Sequence, residues 1–368
     1  MNIAFFVPVI DQIGGAEIGT QRLAEQLAQR GHKVTILSTQ AISRWQKYPS
    51  IIDYAKPIRL IRLPVWQRSK QIFARMLAAQ AFWSIPVFLR ETQIIHLRGL
   101  TPETQMLARI AHRSGISTLC VPMASGVYGD VATFPSNVAK ATTVFDWLSG
   151  LTDSLRAEAI AWGIPAIKTG VIPNGVDIDH FKPPESPGDQ PHVIFVGQFR
   201  PEKRIDLLLR AWVQIQLEYP QAHLTLVGGD LSSESYHQMA QQLGIAPTFI
   251  PNTNEAGVLA KLQANSIFVM PGISEGMSNA LLEAMAVGLA PIVADTPANR
   301  AVITPEIDGL TYQADSPEAL ALQLKRLISD EDLRHRIGTA ARKTVVERFT
   351  LEAVTEQYLA LYRQLLGE

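Results

Sequence analysis

The 368-residue chain has a single cysteine, Cys120, which excludes an internal disulfide framework and any zinc site built from several cysteines. Cys120 itself reads as a small buried apolar side chain. Excess charge is lacking too, with 33 basic residues against 34 acidic, so the chain as a whole should not be drawn to nucleic acid. No apolar run approaches the roughly 20 residues needed to span a bilayer. The longest candidate, residues 77–89, is broken by Gln80, Ser84 and Pro86. The apolar start, residues 3–10, has no basic leader and runs into Asp11 and Gly14-Gly15, a poor pattern for an export signal. The expected setting is therefore cytoplasmic and reducing. Two catalytic signatures are also missing: a Walker loop and Gly-x-Gly-x-x-Gly. Their absence argues against a P-loop enzyme and a nicotinamide dehydrogenase.

What is present is the composition of a packed globular protein, 47% hydrophobic and 18% charged, long enough for two domains. Short β-branched runs alternate with amphipathic helical stretches. Strands are expected at 3–9, 33–38, 58–63, 93–97, 118–122 and 142–148. A second set follows at 192–197, 223–228, 266–270 and 290–294. Ile205, Leu208, Leu209, Trp212 and Ile215 share one helical face, as do Val354, Tyr358, Leu361, Tyr362 and Leu365. Such alternation predicts an α/β protein with parallel sheets covered by helices. The strand–glycine–helix order starts twice, at Gly14-Gly15 and at Gly197. Between the halves, residues 183–191 hold four prolines, a semi-rigid linker composition. The expectation is two Rossmann-like domains facing each other across a cleft: residues 1–182 with the C-terminal helix 351–368 crossing back to them, and residues 183–350. Ligands in such sheets sit at the carboxyl ends of strands, so both glycine turns would line the cleft.

Residues 41–90 depart from the neutral average, with nine basic residues, one acid and a net charge of +8. Trp45, Trp66, Phe73, Phe82 and Trp83 are interleaved with them. Two readings stay open here: a surface for an anionic membrane or phosphorylated acceptor, or a solvated basic face over core aromatics.

The richest stretch follows the apolar run 266–270. It is Pro271-Gly272-Ile273-Ser274-Glu275-Gly276-Met277-Ser278-Asn279-Ala280-Leu281-Leu282-Glu283-Ala284-Met285-Ala286-Val287-Gly288. A loop glutamate, Glu275, precedes a helix that carries Glu283. The positive helix end at Met277, Ser278 and Asn279 suits a phosphate. Glu283 can accept two hydrogen bonds from a ribose diol, and Glu275 can reach a sugar hydroxyl.

This block resembles the Glu-x7-Glu motif of family 4 (group 1) retaining glycosyltransferases, which have the GT-B fold. Further segments are similar in the expected order: Gly14-Gly15-Ala16-Glu17, Val171-Ile172-Pro173-Asn174-Gly175-Val176-Asp177, Val196-Gly197-Gln198-Phe199-Arg200-Pro201-Glu202-Lys203, and Gly309-Leu310. The resemblance implies a nucleotide diphosphate sugar donor held by the second domain and an acceptor held by the first. It implies transfer with retention and without a metal or other cofactor. Lys203 would bind the diphosphate, with Glu275 and Arg200 completing the catalytic set. Gly15, Gly197, Gly276, Met277, Ser278, Asn279 and Glu283 would complete the donor site. The acceptor would be lipid-linked, as in polysaccharide or glycoconjugate synthesis, with peripheral membrane contact through 41–90 and no nucleic acid.

Three departures bear on this reading. Gln198 stands where the family has arginine, leaving Arg200, or less directly Arg204, to supply the guanidinium. Met123-Ala124-Ser125-Gly126 stands where many members carry a histidine, with Ser125 or Asp130 as replacements. Thr296-Pro297-Ala298-Asn299-Arg300 replaces a segment that often has two glycines and a glutamate. They keep open a nucleotide-sugar-binding protein without transferase activity and a GT-B epimerase. His96, followed by Arg98, has both a site role and a structural role open to it. His32 reads as a helix cap, Asn174-Gly175 as a tight interdomain turn rather than a ligand site, and Glu202 as a surface partner near Lys203.

Overall fold

The computed structural model describes residues 1–7, 14–42, 50–54, 58–66, 89–122, 144–185, 190–229, 233–273 and 276–368. The chain divides into two compact units, Met1–Pro173 with Val354–Glu368, and Asn174–Ala353.

The first unit is an eight-stranded sheet among the described residues. Its strands are β1 (Asn2–Val7), β2 (Lys33–Ile42), β3 (Ser50–Tyr54), β4 (Ile58–Trp66), β5 (Ile94–Arg98), β6 (Ser117–Val121), β7 (Trp147–Gly150) and β8 (Thr169–Val171). Their order is β3-β4-β2-β1-β5-β6-β7-β8, all parallel except β3 against β4. β1 is apolar after Asn2, and β5 is buried at every position, because helices bury both faces of a parallel sheet. Helices α1 (Gly15–Gln29), α2 (Pro102–Arg113) and α3 (Asp153–Ala161) follow β1, β5 and β7. Thr101 and Thr104 cap α2 reciprocally, and Pro102 starts it where no amide donor is needed. Cys120 is buried, its Sγ 3.6 Å from the Gly99 carbonyl. His32 closes the end of α1 through its N–H to the Leu27 carbonyl.

The second unit is a six-stranded, wholly parallel sheet of β9 (Val193–Val196), β10 (Leu224–Val227), β11 (Thr248–Ile250), β12 (Ile267–Met270), β13 (Ala290–Ala294) and β14 (Leu310–Tyr312). The order is β11-β10-β9-β12-β13-β14. Its helices are α4 (Ile205–Glu218), α5 (Ser233–Gln242), α6 (Glu255–Gln263), α7 (Asn279–Val287), α8 (Pro297–Arg300), α9 (Pro317–Ser329) and α10 (Glu331–Arg348). The predicted face of α4 is buried in full, with Trp212 at its centre.

The last helix, α11 (Leu351–Leu366), begins in the second unit and continues in the first. Val354, Tyr358, Leu361 and Tyr362 are buried along it. Backbone bonds from Val176 to Phe349 and from Leu351 to Val176 tie the chain after Asn174 to the second unit, ahead of the proline-rich stretch.

Short edge strands depart from the expected pattern. β8, β11 and β14 have three residues each, too few for a periodic signal, and their ladders are completed by neighbours. The strand expected at 142–148 is displaced to Trp147–Gly150. Of 41–90, only 41–42, 50–54, 58–66 and 89–90 are described, and the remainder of the basic segment lies outside the described residues. Residues 123–126 and Asp130 lie outside them as well.

Candidate functional site

In the second unit the chain leaves β9 toward β10 and β11 on one side, then returns to β12 on the other. Loops leaving the carboxyl ends of β9 and β12 therefore diverge, and a crevice at such a switch point is where open α/β sheets bind ligands. Both sequence-predicted donor loops arise there.

The loop after β9 carries Gly197, Arg200 and Lys203. Phe199 anchors it, buried with its ring 6.2 Å from Phe195 and 6.1 Å from both Tyr236 and Phe249. A single 3-10 turn, Pro201–Lys203, then delivers the Lys203 side chain to a half-buried position. Arg204 ends the turn with φ 52, a left-handed conformation unusual for a residue with a side chain. Its guanidinium is engaged by Asp315 and by Asp206, the latter at 3.4 Å. Arg204 is thereby engaged in holding the loop. Arg200 is exposed and forms no ion pair among the described residues.

The loop after β12 carries Gly276, Met277 and Ser278 into α7, and Gly276 and Met277 are buried. Ser278 is the N-cap, its hydroxyl accepting from the Leu281 N–H at 3.3 Å. Glu283 sits one turn into α7 with a relative exposure of 7%, and Asn279 is buried beside the cap. Glu275 lies outside the described residues. The two loops are joined by the Ile273 N–H to the Glu202 carbonyl, 3.4 Å. Glu202 thus contributes its backbone here. Tyr312 braces the same loop, its hydroxyl donating to the Pro271 carbonyl at 3.2 Å. Burial holds that hydroxyl well above the usual tyrosine range, so it remains a donor at any working pH.

One contributor was not legible as such. Asn174, expected as a turn residue, donates from Nδ2 to the Met277 carbonyl at 2.9 Å, and its N–H meets Met277 Sδ at 3.2 Å. The Asn-Gly dipeptide signals a turn, and nothing local signals that its amide reaches the donor loop. After β13, Arg300 donates to Asp295 through Nε and Nη2 of one guanidinium edge, the second contact at 2.6 Å, and Asn299 donates to the Ala294 carbonyl at 2.8 Å. Residues 295–300 thus close a polar turn upon themselves.

In the first unit, Gly15 opens α1 after Gly14 and is exposed. His96 is not placed for chemistry. It is wholly buried, its Nδ1 2.8 Å from the Tyr362 hydroxyl and its ring 4.9 Å from Phe5 and 5.1 Å from Tyr358. Burial, aided by Arg98, holds its pKa well below the ordinary histidine value, so it is neutral.

Residues 14–175 match the model of the glycosyl transferase 4-like domain, and residues 176–344 match that of glycosyl transferases group 1. The chain belongs to the group 1 glycosyltransferases. This glycosyltransferase is 24% identical to the phosphatidyl-myo-inositol mannosyltransferase of Mycobacterium tuberculosis, over 100% of its own length and 98% of the relative's. Among solved structures it is similar to sucrose-phosphate synthase from Thermosynechococcus elongatus, with TM-score 0.86, 22% identity and coverage of 100% and 99% of the two chains. Anabaena HepE, solved with UDP and glucose, gives TM-score 0.78 at 17% identity over 99% and 100%. These likenesses show the GT-B fold for this glycosyltransferase. Among the described residues, no helix is long and apolar enough to cross a membrane.

Proposed function

We propose that this glycosyltransferase moves a sugar from a nucleotide diphosphate donor to an acceptor hydroxyl with retention of anomeric configuration, and that no metal takes part. The observation that carries the reading is the joining of two loops at the β9/β12 switch point, one bearing Lys203 and the other the start of α7. Anabaena HepE, which binds UDP and glucose, has the same fold and supports a nucleotide-sugar donor.

In the proposed step the bond from the sugar C1 to the diphosphate oxygen breaks, and the departing oxygen keeps the electron pair. Lys203 and Arg200 stabilise that charge, with the positive end of α7 behind them. The acceptor oxygen bonds to C1 and its proton passes to the departing phosphate. Glu283 takes the ribose hydroxyls, Glu275 the transferred sugar, and the backbone of Gly197 and of Gly276–Asn279 approaches the phosphates. Gly15 stays in the donor set on the family pattern alone. The first unit takes the acceptor.

The acceptor we favour is lipid-linked, approached from the cytoplasmic side. The +8 charge and interleaved tryptophans of 41–90 support it, and so does the phosphatidyl-myo-inositol acceptor in the name of the mycobacterial relative. The test is turnover of Lys203→Ala and Glu275→Ala, each expected to fall about a hundredfold, the loss typical of one group stabilising a developing oxyanion. Full activity in either variant removes the mechanism. Nucleotide binding with no transfer to any acceptor would instead identify a binding protein, and donor conversion without acceptor an epimerase.

A further inference from the structure

Among the described residues, Arg98 is a buried charge without a counter-charge. It is the last residue of β5 and 5% exposed. His96 lies two positions before it, so both side chains project from one face of the sheet. Tyr358 and Tyr362 of α11 cover that face, and Arg98 lies close enough to act electrostatically on both phenols. Among the described residues, the titratable groups that interact with it are one imidazole and two phenols. Its Nε has no hydrogen-bond partner, and no carboxylate pairs with it among the described residues.

Two other arginines, one buried and one half-buried, are provided for differently. Arg334 is nearly as buried, yet donates to the Leu327 carbonyl at 2.8 Å, the negative end of a helix. Arg342 donates to the carbonyls of Ala286 and Phe181. An uncompensated buried cation is costly to keep, and a protein that retains one gains if a ligand brings the missing charge.

The place fits a ligand. β5 neighbours β1, and the sheet order reverses between them, so Arg98 ends at the first unit's own switch point. It is also held rigidly. Arg98 pairs in register with Val121, and the next residue, Gly99, turns the chain with φ 85 while its N–H bonds the Val121 carbonyl at 2.9 Å. A second buried nitrogen without a partner, His96 Nε2, lies on the same face. A guanidinium, a charged planar fork of donors, is the recognition chemistry of a phosphate.

We propose that Arg98 is a binding residue for a phosphate group of the acceptor, received at the carboxyl end of β5. This rests on the reading that the first unit takes the acceptor, and it narrows that acceptor to a phosphorylated molecule.

The test uses the full-length chain carrying Lys203→Ala, which disables the proposed donor site, with and without Arg98→Met. Inorganic phosphate is the probe, read through its effect on the melting temperature. Phosphate is expected to stabilise the Lys203→Ala chain, and Arg98→Met to weaken that response by about tenfold to a hundredfold, as for loss of a charged hydrogen-bonding group. Without phosphate, the Arg98→Met chain should melt no lower than its parent, because the substitution removes an unpaired buried cation. An equal phosphate response in both chains overturns the proposal. So does a clear drop in melting temperature on Arg98→Met without ligand, which marks a purely structural cation.

A second arm locates the phosphate. Co-sedimentation with phosphatidic acid vesicles, but not phosphatidylcholine vesicles, that is lost on Arg98→Met places it on a lipid. A response confined to free phosphate places it on a soluble acceptor, and either result supports the site. Stabilisation by UDP of Arg98→Met with Lys203 intact tests the donor reading separately, so the two can fail independently.

Discussion

Gly228 is the most informative position at which to disturb the donor unit. It follows β10 with φ 139, and a Cβ built on it would lie 2.8 Å from the carbonyl carbon of Gly197, closer still to its oxygen. Both obstacles are backbone, so no side chain can move aside. Gly228→Ala must push the end of β9 away and hold a backbone conformation that side chains disfavour. The strain contributes about 1–3 kcal/mol and the overpacking a further 1–3 kcal/mol. A loss on the order of 4 kcal/mol is therefore expected. Gly197→Ala is the control, because its Cβ would meet only the tip of the Phe195 ring at 3.1 Å, and its cost should stay below about 1 kcal/mol. Urea unfolding followed by the fluorescence of Trp212, buried in the same unit, reads both variants. Gly228→Ala should also reduce turnover at permissive temperature, since Gly197 opens the loop that carries Lys203. A Gly228→Ala midpoint matching that of Gly197→Ala, with normal turnover, would refute the claim that the two strand ends are packed backbone to backbone.

Three further outcomes follow from named contacts. His96 is neutral when folded, because burial and then Arg98 hold its pKa well below 6.5, whereas in the unfolded chain it protonates near 6.5. The unfolded state then binds more protons below that pH, so stability should fall as pH drops from about 6.5, by up to about 1.4 kcal/mol per unit. His96→Gln should flatten the pH dependence of melting between pH 7 and 5. Arg204→Gly relieves about 1 kcal/mol of left-handed strain and gives up partly exposed ion pairs worth about 0–1 kcal/mol. Its urea midpoint should thus stay near wild type, while Arg204→Val should be destabilised. Asn174→Ala removes the bond to the Met277 carbonyl and should cost about 1 kcal/mol. Titration calorimetry with UDP should show weaker binding, the signature of a loosened donor loop.

Local pattern determined the class of this protein. Alternating apolar runs and helical faces specify parallel sheets with helices packed on them, because burial on both faces demands continuous apolar strands. The same logic located the buried faces of α4 and α11, and the glycine turns marked where strands give way to ligand loops. What local pattern does not carry is the partner of a side chain far along the chain. Asn174 and Met277 are 103 residues apart, and His96 and Tyr362 are 266 apart. Sequence leaves His96 open between chemistry and structure. Tertiary packing decided it, by laying α11 over β5. Arg204 is similar, because only the fold brings Asp315 to its guanidinium and so removes it from the pool of free cations. The three-residue strands β8, β11 and β14 exist because neighbouring strands complete their hydrogen bonds, a condition met only once the sheet has assembled.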